Sequence, residues 1–347
     1  MAEKSRRLKP RQRKTRPLLF RGKFGGEEVI HSPPEFVEGS WTLPPPLASR
    51  LYQKSALGSP LEDGSIELIP EEILFCNWNR HVELPSENWL ANELESDSGL
   101  LHRAVAFDYA RSGGELLVPD KWLGQGRDAG LFYRWSRDSH PAKSPPQARV
   151  EIHRSHEAID WYALLAKLSE HNQLKHEVLI VDDEMDVTMY QVELIEPSGD
   201  VDLGDYSELK EEIDSGIDVD FGLFIDGANN WKWESIGVSH AGGRLLSQEE
   251  IEWIISEDDN LLSELFSRGL LARPGFKFGC KWRVYDGPVS QTHAPWLMQP
   301  VQEAPPNWQG TCLSVRLAEG VNKKWVCMVS IDATLYFIQI SRTIPGR

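Results

Sequence analysis

The feature that most constrains the fold is an approximate internal repeat. Residues 68–73 (LIPEEI) match residues 246–251 (LSQEEI), and each stretch predicts a helix with acidic side chains in its first turn. A predicted helix and strand over 158–181 correspond in the same way to a helix and strand over 311–329. Because the order of elements is shared, we favour a duplicated unit over chance similarity between short apolar runs.

Apolar periodicity predicts a mixture of helices and strands in both copies. Helices are predicted over 47–54, 86–94, 102–112, 158–168, 261–268 and 311–320, and strands over 131–136, 148–153, 178–181, 187–195, 296–300, 325–331 and 335–341. A hairpin about Asp226-Gly227 is predicted to join strands over 221–225 and 231–238. One long strand is predicted over 276–285.

Length and composition predict a protein with about two ordinary domains of ~150 residues, because the chain has 347 residues, of which 40% are hydrophobic. The Gly- and Asp-rich stretch 196–220 is predicted to connect them, and Ser247 with Glu250 predicts a capping box at the next helix. No apolar run approaches ~18 residues, so no membrane span is predicted. The four cysteines form no CxxC pair, which indicates reduced thiols in a cytoplasmic protein.

The charge is divided unevenly along the chain. The formal net charge is −16, yet residues 1–25 contain ten Lys or Arg and a single acid. Residues 1–22 are predicted to be a basic, disordered tail, and no apolar segment follows that would make them a secretory signal. A basic arm on an acidic body suits an RNA ligand held at selected places, and a disordered solubility tail is the alternative.

Three side chains near the C-terminus could together cut RNA. Residues 275–285 (GFKFGCKWRVY) end at Tyr285, His293 follows, and Lys323 comes before a predicted strand. A phenol, an imidazole and an ammonium can take a proton from a hydroxyl, give a proton to a leaving oxygen and neutralise a phosphate. Taken singly, each residue is more typical of packing or surface charge. Lys324 is the alternative to Lys323.

The two copies differ at these positions. In the first copy, residues 135–137 stand in place of Tyr285, and a polar loop stands in place of His293. Lys175 is predicted to correspond to Lys323, but without its two companions. The first copy instead has an acidic loop over 182–186. We therefore predict that the second copy has kept the reactive residues and that the first copy has a charged, protruding loop.

These residues resemble the archaeal tRNA-splicing endonuclease family. The resemblance lies in 275–279 (GFKFG), the WRVY that ends at Tyr285, His293 followed by an aromatic residue and a leucine, and 315–324 (VRLAEGVNKK). It covers about 246–342 well and the first copy weakly. Pro295 after the histidine and Asn322 before the lysine, where the family commonly has arginine, depart from its pattern.

The resemblance implies an α/β (α+β) fold with two tandem repeats. Each repeat would have a small N-terminal α/β subdomain and a restriction-endonuclease-like α/β nuclease subdomain, and the first repeat would be degenerate. The expected boundaries are 1–22 for the tail, 23–105 and 106–196 for the first repeat, and 197–262 and 263–347 for the second.

The resemblance also implies the reaction. Members of the family cut precursor tRNA at both exon–intron junctions of a bulge–helix–bulge, leaving a 2′,3′-cyclic phosphate and a 5′-hydroxyl. Tyr285 would be the general base towards the ribose 2′-OH, His293 the general acid, and Lys323 the charge that stabilises the phosphorane. Arg316 would stack on a bulged base, its alternative being an ion pair with Glu319. No metal or cofactor is expected.

The implied assembly is a homodimer acting on precursor tRNA, with no membrane contact. The acidic loop, with Asp182, Asp183, Glu184 and Asp186, would insert into a basic groove of the partner's catalytic unit. Three further cations, Lys277, Lys281 and Arg283, could touch phosphates.

Two other functions stay open from the sequence. One is a non-catalytic RNA-binding subunit that needs an active partner. The other is a metal-dependent nuclease on a related fold, which requires a carboxylate pair and an Asp/Glu-x-Lys on adjoining strands; neither occurs near the three residues.

Overall fold

The computed structural model describes residues 31–124, 130–202, 208–228, 230–255, 261–289, 292–332 and 334–345. It divides into two units, Met1–Asp108 and Tyr109–Arg347. The predicted basic tail lies outside the described residues, and the five-part division of the sequence stays a prediction.

The first unit contains a small antiparallel sheet with helices. Its strands are β1 (Glu35–Val37), β2 (Ser40–Leu43), β3 (Ser59–Pro60) and β4 (Ile66–Leu68), and its helices are α1 (Leu47–Ser55), α2 (Pro70–Arg80), α3 (Trp89–Ser96) and α4 (Leu100–Arg111), which ends just past the boundary. The strand order is β1-β2-β4-β3.

The start of α2 follows from its sequence. Pro70 stands at the first helical position, where its missing N–H costs nothing, and two glutamates follow in the first turn. The buried carboxylate of Glu72 accepts hydrogen bonds from the backbone N–H groups of Gly58 (2.8 Å) and Ile69 (3.2 Å). This glutamate therefore connects the helix start to the residue just before β3.

The second unit begins with five strands and a helix: β5 (Leu116–Pro119), β6 (Leu131–Trp135), β7 (Ala148–Arg154), α5 (Trp161–Glu170), β8 (Lys175–Val181) and β9 (Val187–Ile195). Next come α6 (Leu209–Asp214), β10 (Ile217–Val219), β11 (Gly222–Ile225), β12 (Val238–His240), β13 (Gly243–Ser247), α7 (Gln248–Ile255) and α8 (Leu261–Ser267). The unit ends with β14 (Leu271–Pro274), β15 (Trp282–Tyr285), β16 (Trp296–Pro300), α9 (Trp308–Gly320), β17 (Lys324–Ile331) and β18 (Thr334–Thr343).

A ten-stranded sheet dominates the second unit, with the order β14-β15-β16-β17-β18-β9-β8-β7-β6-β5. The strands follow chain order from each edge of the sheet to its middle, β14 to β18 from one edge and β5 to β9 from the other. In the middle, β18 and β9 form an antiparallel pair from Phe337↔Ile195 to Thr343↔Met189. On each side one pair is parallel, β16 with β17 and β7 with β8. The mixed sheet is consistent with the predicted α/β (α+β) class.

Cores on both faces of the sheet explain its apolar strands. Residues such as Val326 and Met328 face one buried cluster, and Trp325 and Cys327 face the other, so β17 is buried on both sides. Helices α5 and α9 cover the second face, and the rings of Trp161 and Trp325 lie 5.8 Å apart there.

A second small sheet, with the order β10-β11-β13-β12, lies in the same unit. The predicted capping box at its end is confirmed: the N–H of Glu250 donates to the Ser247 hydroxyl (3.3 Å), and the N–H of Ser247 donates to the Glu250 carboxylate (2.9 Å). Because α6 and β10 form within 196–220, that stretch is more than the connection predicted from its composition.

The hairpin predicted about Asp226-Gly227 is wrong. Strand β11 pairs with β10 and β13, and no described residue of 231–237 belongs to a strand. Trp231 and Trp233 instead contact each other edge to face at 5.1 Å, and Trp233 is buried in the core. Burial of two large rings therefore outweighs the local turn signal.

The long strand predicted over 276–285 is also wrong in its first part. Residues Phe276–Phe278 form a 3-10 turn, and β15 begins at Trp282. Gly279 has a φ of 68°, in the left-handed region that favours glycine, and a Cβ on Gly275 would lie 2.4 Å from the Cys280 sulfur. Two glycines thus allow a tight turn where apolar alternation indicated a strand.

No helix among the described residues is long and apolar enough to cross a membrane.

Candidate active site

The three predicted catalytic residues lie at one end of three adjacent strands. Tyr285 is the last residue of β15, and the loop with His293 leads from it into β16. In the sheet, Val284 pairs with Trp296, which in turn pairs with Lys324. Thus β15 ends where β16 and β17 begin, and this arrangement places the three residues near a common edge.

Tyr285 is largely buried, with 7% of its surface exposed, and it lies opposite Leu271 of β14. Arg283, two residues earlier, is on the same face of the strand because side chains alternate. Its guanidinium carbon lies 5.9 Å from the centre of the Tyr285 ring. The phenol therefore sits in apolar surroundings with a cation close to its ring.

His293 is exposed in the loop before β16, and the next residue, Ala294, is buried. Residues 290 and 291 of this loop lie outside the described part of the chain.

Lys323 is held next to His293 through the backbone. Its ammonium donates a hydrogen bond to the carbonyl of Ala294 (2.5 Å) and lies 5.8 Å from the centre of the Phe278 ring. Asn322, with a φ of 56°, reverses the chain after α9, and asparagine tolerates this left-handed conformation better than most residues. The exposed Lys324 instead uses its backbone N–H to bond Pro295. These contacts favour Lys323 over Lys324 as the site lysine.

Burial lowers the pKa of the Lys323 ammonium, and the positive charge of Arg283 lowers it further. Both causes act against the charged form of Lys323. An anion bound between Lys323 and Arg283 would therefore be stabilised. These contacts connect the three residues: Arg283 lies beside Tyr285 and influences Lys323, which is bonded to the neighbour of His293.

Arg316 of α9 lies beside the acidic loop and not beside Lys323, where its predicted role would place it. It is exposed, its Nε donates to the carbonyl of Cys312 (3.3 Å), and it lines a pocket of about 320 Å³ with the acidic loop. Tyr190 and His156 also line this pocket, whereas Lys323 does not. Arg316 therefore faces carboxylates of its own chain.

The acidic loop is a tight turn between β8 and β9. One carboxylate oxygen of Asp182 accepts the backbone N–H groups of Glu184 (3.0 Å) and Asp186 (2.9 Å). Asp183 pairs with the His156 ring (2.9 Å), and all four acids are exposed. Asp182 consequently shapes the turn, while the other three carry charge outwards.

The sequence analysis treated Lys277, Lys281 and Arg283 alike, as cations that could touch phosphates. The structure gives Lys281 and Arg283 different surroundings. Lys281 pairs with Glu249 (3.1 Å) and Glu303 (3.7 Å), whereas no described acid pairs with Arg283. The alternation of β15, which puts Arg283 on the face of Tyr285, was the available signal. Phe278 and the Ala294 carbonyl, the other neighbours of Lys323, left no signal in the sequence. In the described part of the chain, no three His, Cys, Asp or Glu side chains are grouped to hold a metal ion.

Comparison with known proteins identifies the class. Residues 260–335 match the family described as tRNA intron endonuclease, catalytic C-terminal domain. This segment holds the strand ends with the three candidate catalytic residues.

The relatives extend the match. A tRNA-splicing endonuclease of Thermoplasma volcanium is 30% identical over 47% of this chain and 54% of its own, and one of Picrophilus torridus is 29% identical over 47% and 55%. The chain thus spans about half the length of these two relatives. A tRNA-splicing endonuclease of Methanosarcina acetivorans is 22% identical over 85% of this chain and 94% of its own. Over most of its length the chain is therefore similar to tRNA-splicing endonucleases.

Proposed function

We propose that this protein cuts precursor tRNA at both exon–intron junctions without a metal ion. The observation that carries the proposal is the bond from the Lys323 ammonium to the Ala294 carbonyl, at the strand edge where Tyr285 ends β15. It brings the lysine beside His293, within the segment that matches the family's catalytic domain.

The proposed reaction is an internal transfer of the phosphate. The ribose 2′-oxygen forms a bond to phosphorus, the bond from phosphorus to the 5′-oxygen breaks, and the products carry a 2′,3′-cyclic phosphate and a 5′-hydroxyl. Tyr285 accepts the 2′-OH proton and His293 gives a proton to the leaving oxygen. Lys323 stabilises the negative charge that develops between these steps, an effect worth on the order of 3–4 kcal/mol in comparable sites.

The substrate feature that we propose is RNA shape, a bulge–helix–bulge, rather than base sequence. Arg316 is exposed, so its guanidinium can stack on a bulged base. Its place beside the acidic loop supports a role close to the subunit contact described below.

We also propose that the chain is a fusion of two repeats, the first of them non-catalytic. Glu250 accepts the N–H groups of Gly237 (2.8 Å) and Ser247 (2.9 Å), just as Glu72 accepts those of Gly58 and Ile69. The two small sheets have matching strand orders, and the large sheet is symmetric about the β9–β18 pair. These equivalences support duplication.

The register indicates which positions correspond. Leu271 pairs with Tyr285 at the end of β15, and Leu116 pairs with Trp135 at the end of β6. A tryptophan thus replaces the phenol in the first repeat. Lys175 starts β8 as Lys324 starts β17, so it aligns with Lys324 rather than with Lys323. We propose a single active centre per chain.

The proposed assembly is a homodimer in which the acidic loop binds a basic groove of the partner's catalytic repeat. The exposed carboxylates of Asp183, Glu184 and Asp186 support this, because the turn itself is stabilised by Asp182.

The decisive experiment is cleavage of an intron-containing precursor tRNA by the purified protein in EDTA. We expect cutting at both junctions, 2′,3′-cyclic phosphate ends, and a rate at least ~100-fold lower for His293→Ala. The exposed His240, outside the site, provides a control: His240→Ala should cut like the wild type.

Each other result selects an alternative. Cutting only after Mg²⁺ is added would support a metal-dependent nuclease. RNA binding without cutting, restored by a second protein, would support the non-catalytic RNA-binding subunit. Equal rates for His293→Ala and the wild type would exclude His293 as the general acid.

A further inference from the structure

Among the residues that the structure describes, Arg283 has no anionic partner, unlike two other arginines near the site. Arg273 pairs with Glu250 (2.7 Å), and Arg268 pairs with Glu264 (2.7 Å) and Glu196 (2.7 Å). Within the described ranges, no acid lies within ion-pair distance of Arg283. An uncompensated charge at this position needs a physical explanation, because partly buried cations are normally paired.

One nitrogen of Arg283 also lacks a partner among the described residues. Its Nε is buried and has no hydrogen-bond partner among the described residues. A buried donor left without a partner costs about 1–3 kcal/mol, so such groups are rare and often mark functional positions. The side chain as a whole is half-buried, which leaves its terminal nitrogens an approach from outside.

The surroundings of Arg283 suit an anion. Its guanidinium lies beside the Tyr285 ring, and its charge acts on Lys323, which is bonded to the residue after His293. Arg283 and Lys323 are two cations without a described acid between them. They repel each other, and a bound anion would offset this repulsion. A guanidinium offers several donors in a planar fork that matches phosphate oxygens.

We propose that Arg283 is a further catalytic residue, whose terminal nitrogens donate to a non-bridging oxygen of the phosphate at which the RNA is cut. This proposal rests on the proposed function. Lys323 binds the same phosphate, so two positive charges face the phosphorane. Protons pass from the 2′-OH to Tyr285 and from His293 to the 5′-oxygen, and Arg283 takes part only as a hydrogen-bond donor.

Arg283 acts mainly on the rate, because the phosphorane carries more charge than the bound phosphodiester. An interaction that strengthens as the transition state forms raises the rate constant more than the affinity. The large interface between an RNA and a protein depends on many other phosphate contacts, so losing one cation changes binding little.

The test compares Arg283→Met, Arg283→Lys and Lys143→Gln with the wild type. Methionine keeps the apolar stem and removes the charge and the unpaired N–H. Lys143 is the control, an exposed cation in the loop before β7 and outside the site. Single-turnover cleavage of a precursor tRNA is measured at saturating protein, and affinity is measured with the same RNA carrying 2′-deoxy nucleotides at both junctions, which cannot be cut.

We expect Arg283→Met to cut at least ~100-fold more slowly, with an affinity within ~3-fold of the wild type. Arg283→Lys should recover part of the rate, and Lys143→Gln should cut within ~3-fold of the wild type. The decline in rate at high pH caused by deprotonation of Lys323 should move to higher pH in Arg283→Met, because Arg283 lowers the pKa of that lysine. This shift would show that the two charges interact, and the loss of rate at unchanged affinity is what identifies a catalytic role.

The melting temperature of Arg283→Met shows whether a loss of activity comes from unfolding. Arg283→Met removes a buried unpaired donor, so its melting temperature should equal or exceed that of the wild type. A large loss of stability, or a rate within ~3-fold of wild type, would overturn the catalytic role, as would a loss of affinity that accounts for the whole rate effect. No cutting by the wild type would instead refute the proposed function from which this inference starts.

Discussion

At the scale of single residues, a buried charge cluster lies in the half of the large sheet that does not contain the candidate catalytic residues. Glu151 of β7 is 5% exposed and pairs with Lys167 of α5 (2.9 Å) and with Arg149 (3.1 Å). Burial would raise the pKa of Glu151, but hydrogen bonds from His153 and Lys167 outweigh it and hold the pKa well below its usual value. The charge of Glu151 therefore serves stability, because cations pair with it.

His153 gives this cluster a pH dependence. Burial opposes its charged form, yet bonds to Glu151 (3.4 Å) and Glu157 (2.7 Å) raise its pKa to about 9. The folded-state pKa thus lies above the unfolded value of ~6.5, so the stabilisation is complete below pH ~6.5 and is lost as pH rises through 9. The ring also stacks on Trp308 at 5.2 Å.

We predict that His153→Gln lowers the free energy of unfolding by about 1–3 kcal/mol at pH 6 and by much less at pH 10. The reason is that the wild type has already lost the charged imidazole at pH 10. Urea unfolding followed by tryptophan fluorescence at both pH values measures the difference. His140, which lies in a loop, supplies the control His140→Gln. A loss that is equal at both pH values would assign the effect to packing on Trp308.

At the scale of elements, Glu250 connects α7 to two other segments of its unit. Its carboxylate accepts the N–H groups of Ser247 and Gly237 and pairs with the buried Arg273, whose other nitrogen donates to the carbonyls of Ser235 (2.8 Å) and Gly237 (2.9 Å). Because Arg273 belongs to β14, this glutamate connects the small sheet to the edge of the large one.

Glu250→Gln is predicted to destabilise the protein by about 2–4 kcal/mol, because it leaves the buried guanidinium of Arg273 without a compensating charge. Ser247→Ala, which removes the capping hydroxyl alone, should cost about 1 kcal/mol. Glu252→Gln, at an exposed position of the same helix, should stay within ~0.5 kcal/mol. Urea midpoints rank the three variants. If Glu250→Gln and Glu252→Gln had equal midpoints, the ion pair would contribute nothing.

At the scale of the whole chain, the proposed assembly depends on the acidic loop. The structure divides its carboxylates by role, since Asp182 forms the turn and Asp183, Glu184 and Asp186 carry exposed charge. A variant that neutralises all four would therefore confuse a collapsed turn with a lost contact.

The combined variant Asp183→Asn, Glu184→Gln, Asp186→Asn is predicted to weaken the dimer while the monomer stays folded. Removing three negative charges removes the attraction to a basic groove, an effect that salt screens in the wild type. Sedimentation at low and high salt measures the mass.

A charge-matched control comes from the exposed acids of α6, as Glu211→Gln, Glu212→Gln and Asp214→Asn together. This control should leave the mass unchanged. A wild-type dimer that survives the loop variant would refute the role of the loop, and a monomeric wild type would refute the dimer itself.

By itself the sequence determined most element positions and the residues able to perform the chemistry. The Ser247–Glu250 capping box, the acidic turn over 182–186 and the apolar strands β9 and β17 follow from local rules, because each depends on residues a few positions apart. Tyr285 and Lys323 were identifiable because their motifs are contiguous in the chain.

Only the tertiary structure decided which groups are neighbours. Three features depend on strand register and on segments distant in sequence: the bond from Lys323 to Ala294, the lack of a described partner for the Arg283 Nε, and the position of Arg316 beside carboxylates. The same cause explains the hairpin that does not form, because the burial of Trp233 is a non-local effect. Local propensity selects helix or strand, whereas the partner of each charge is set when the sheet assembles.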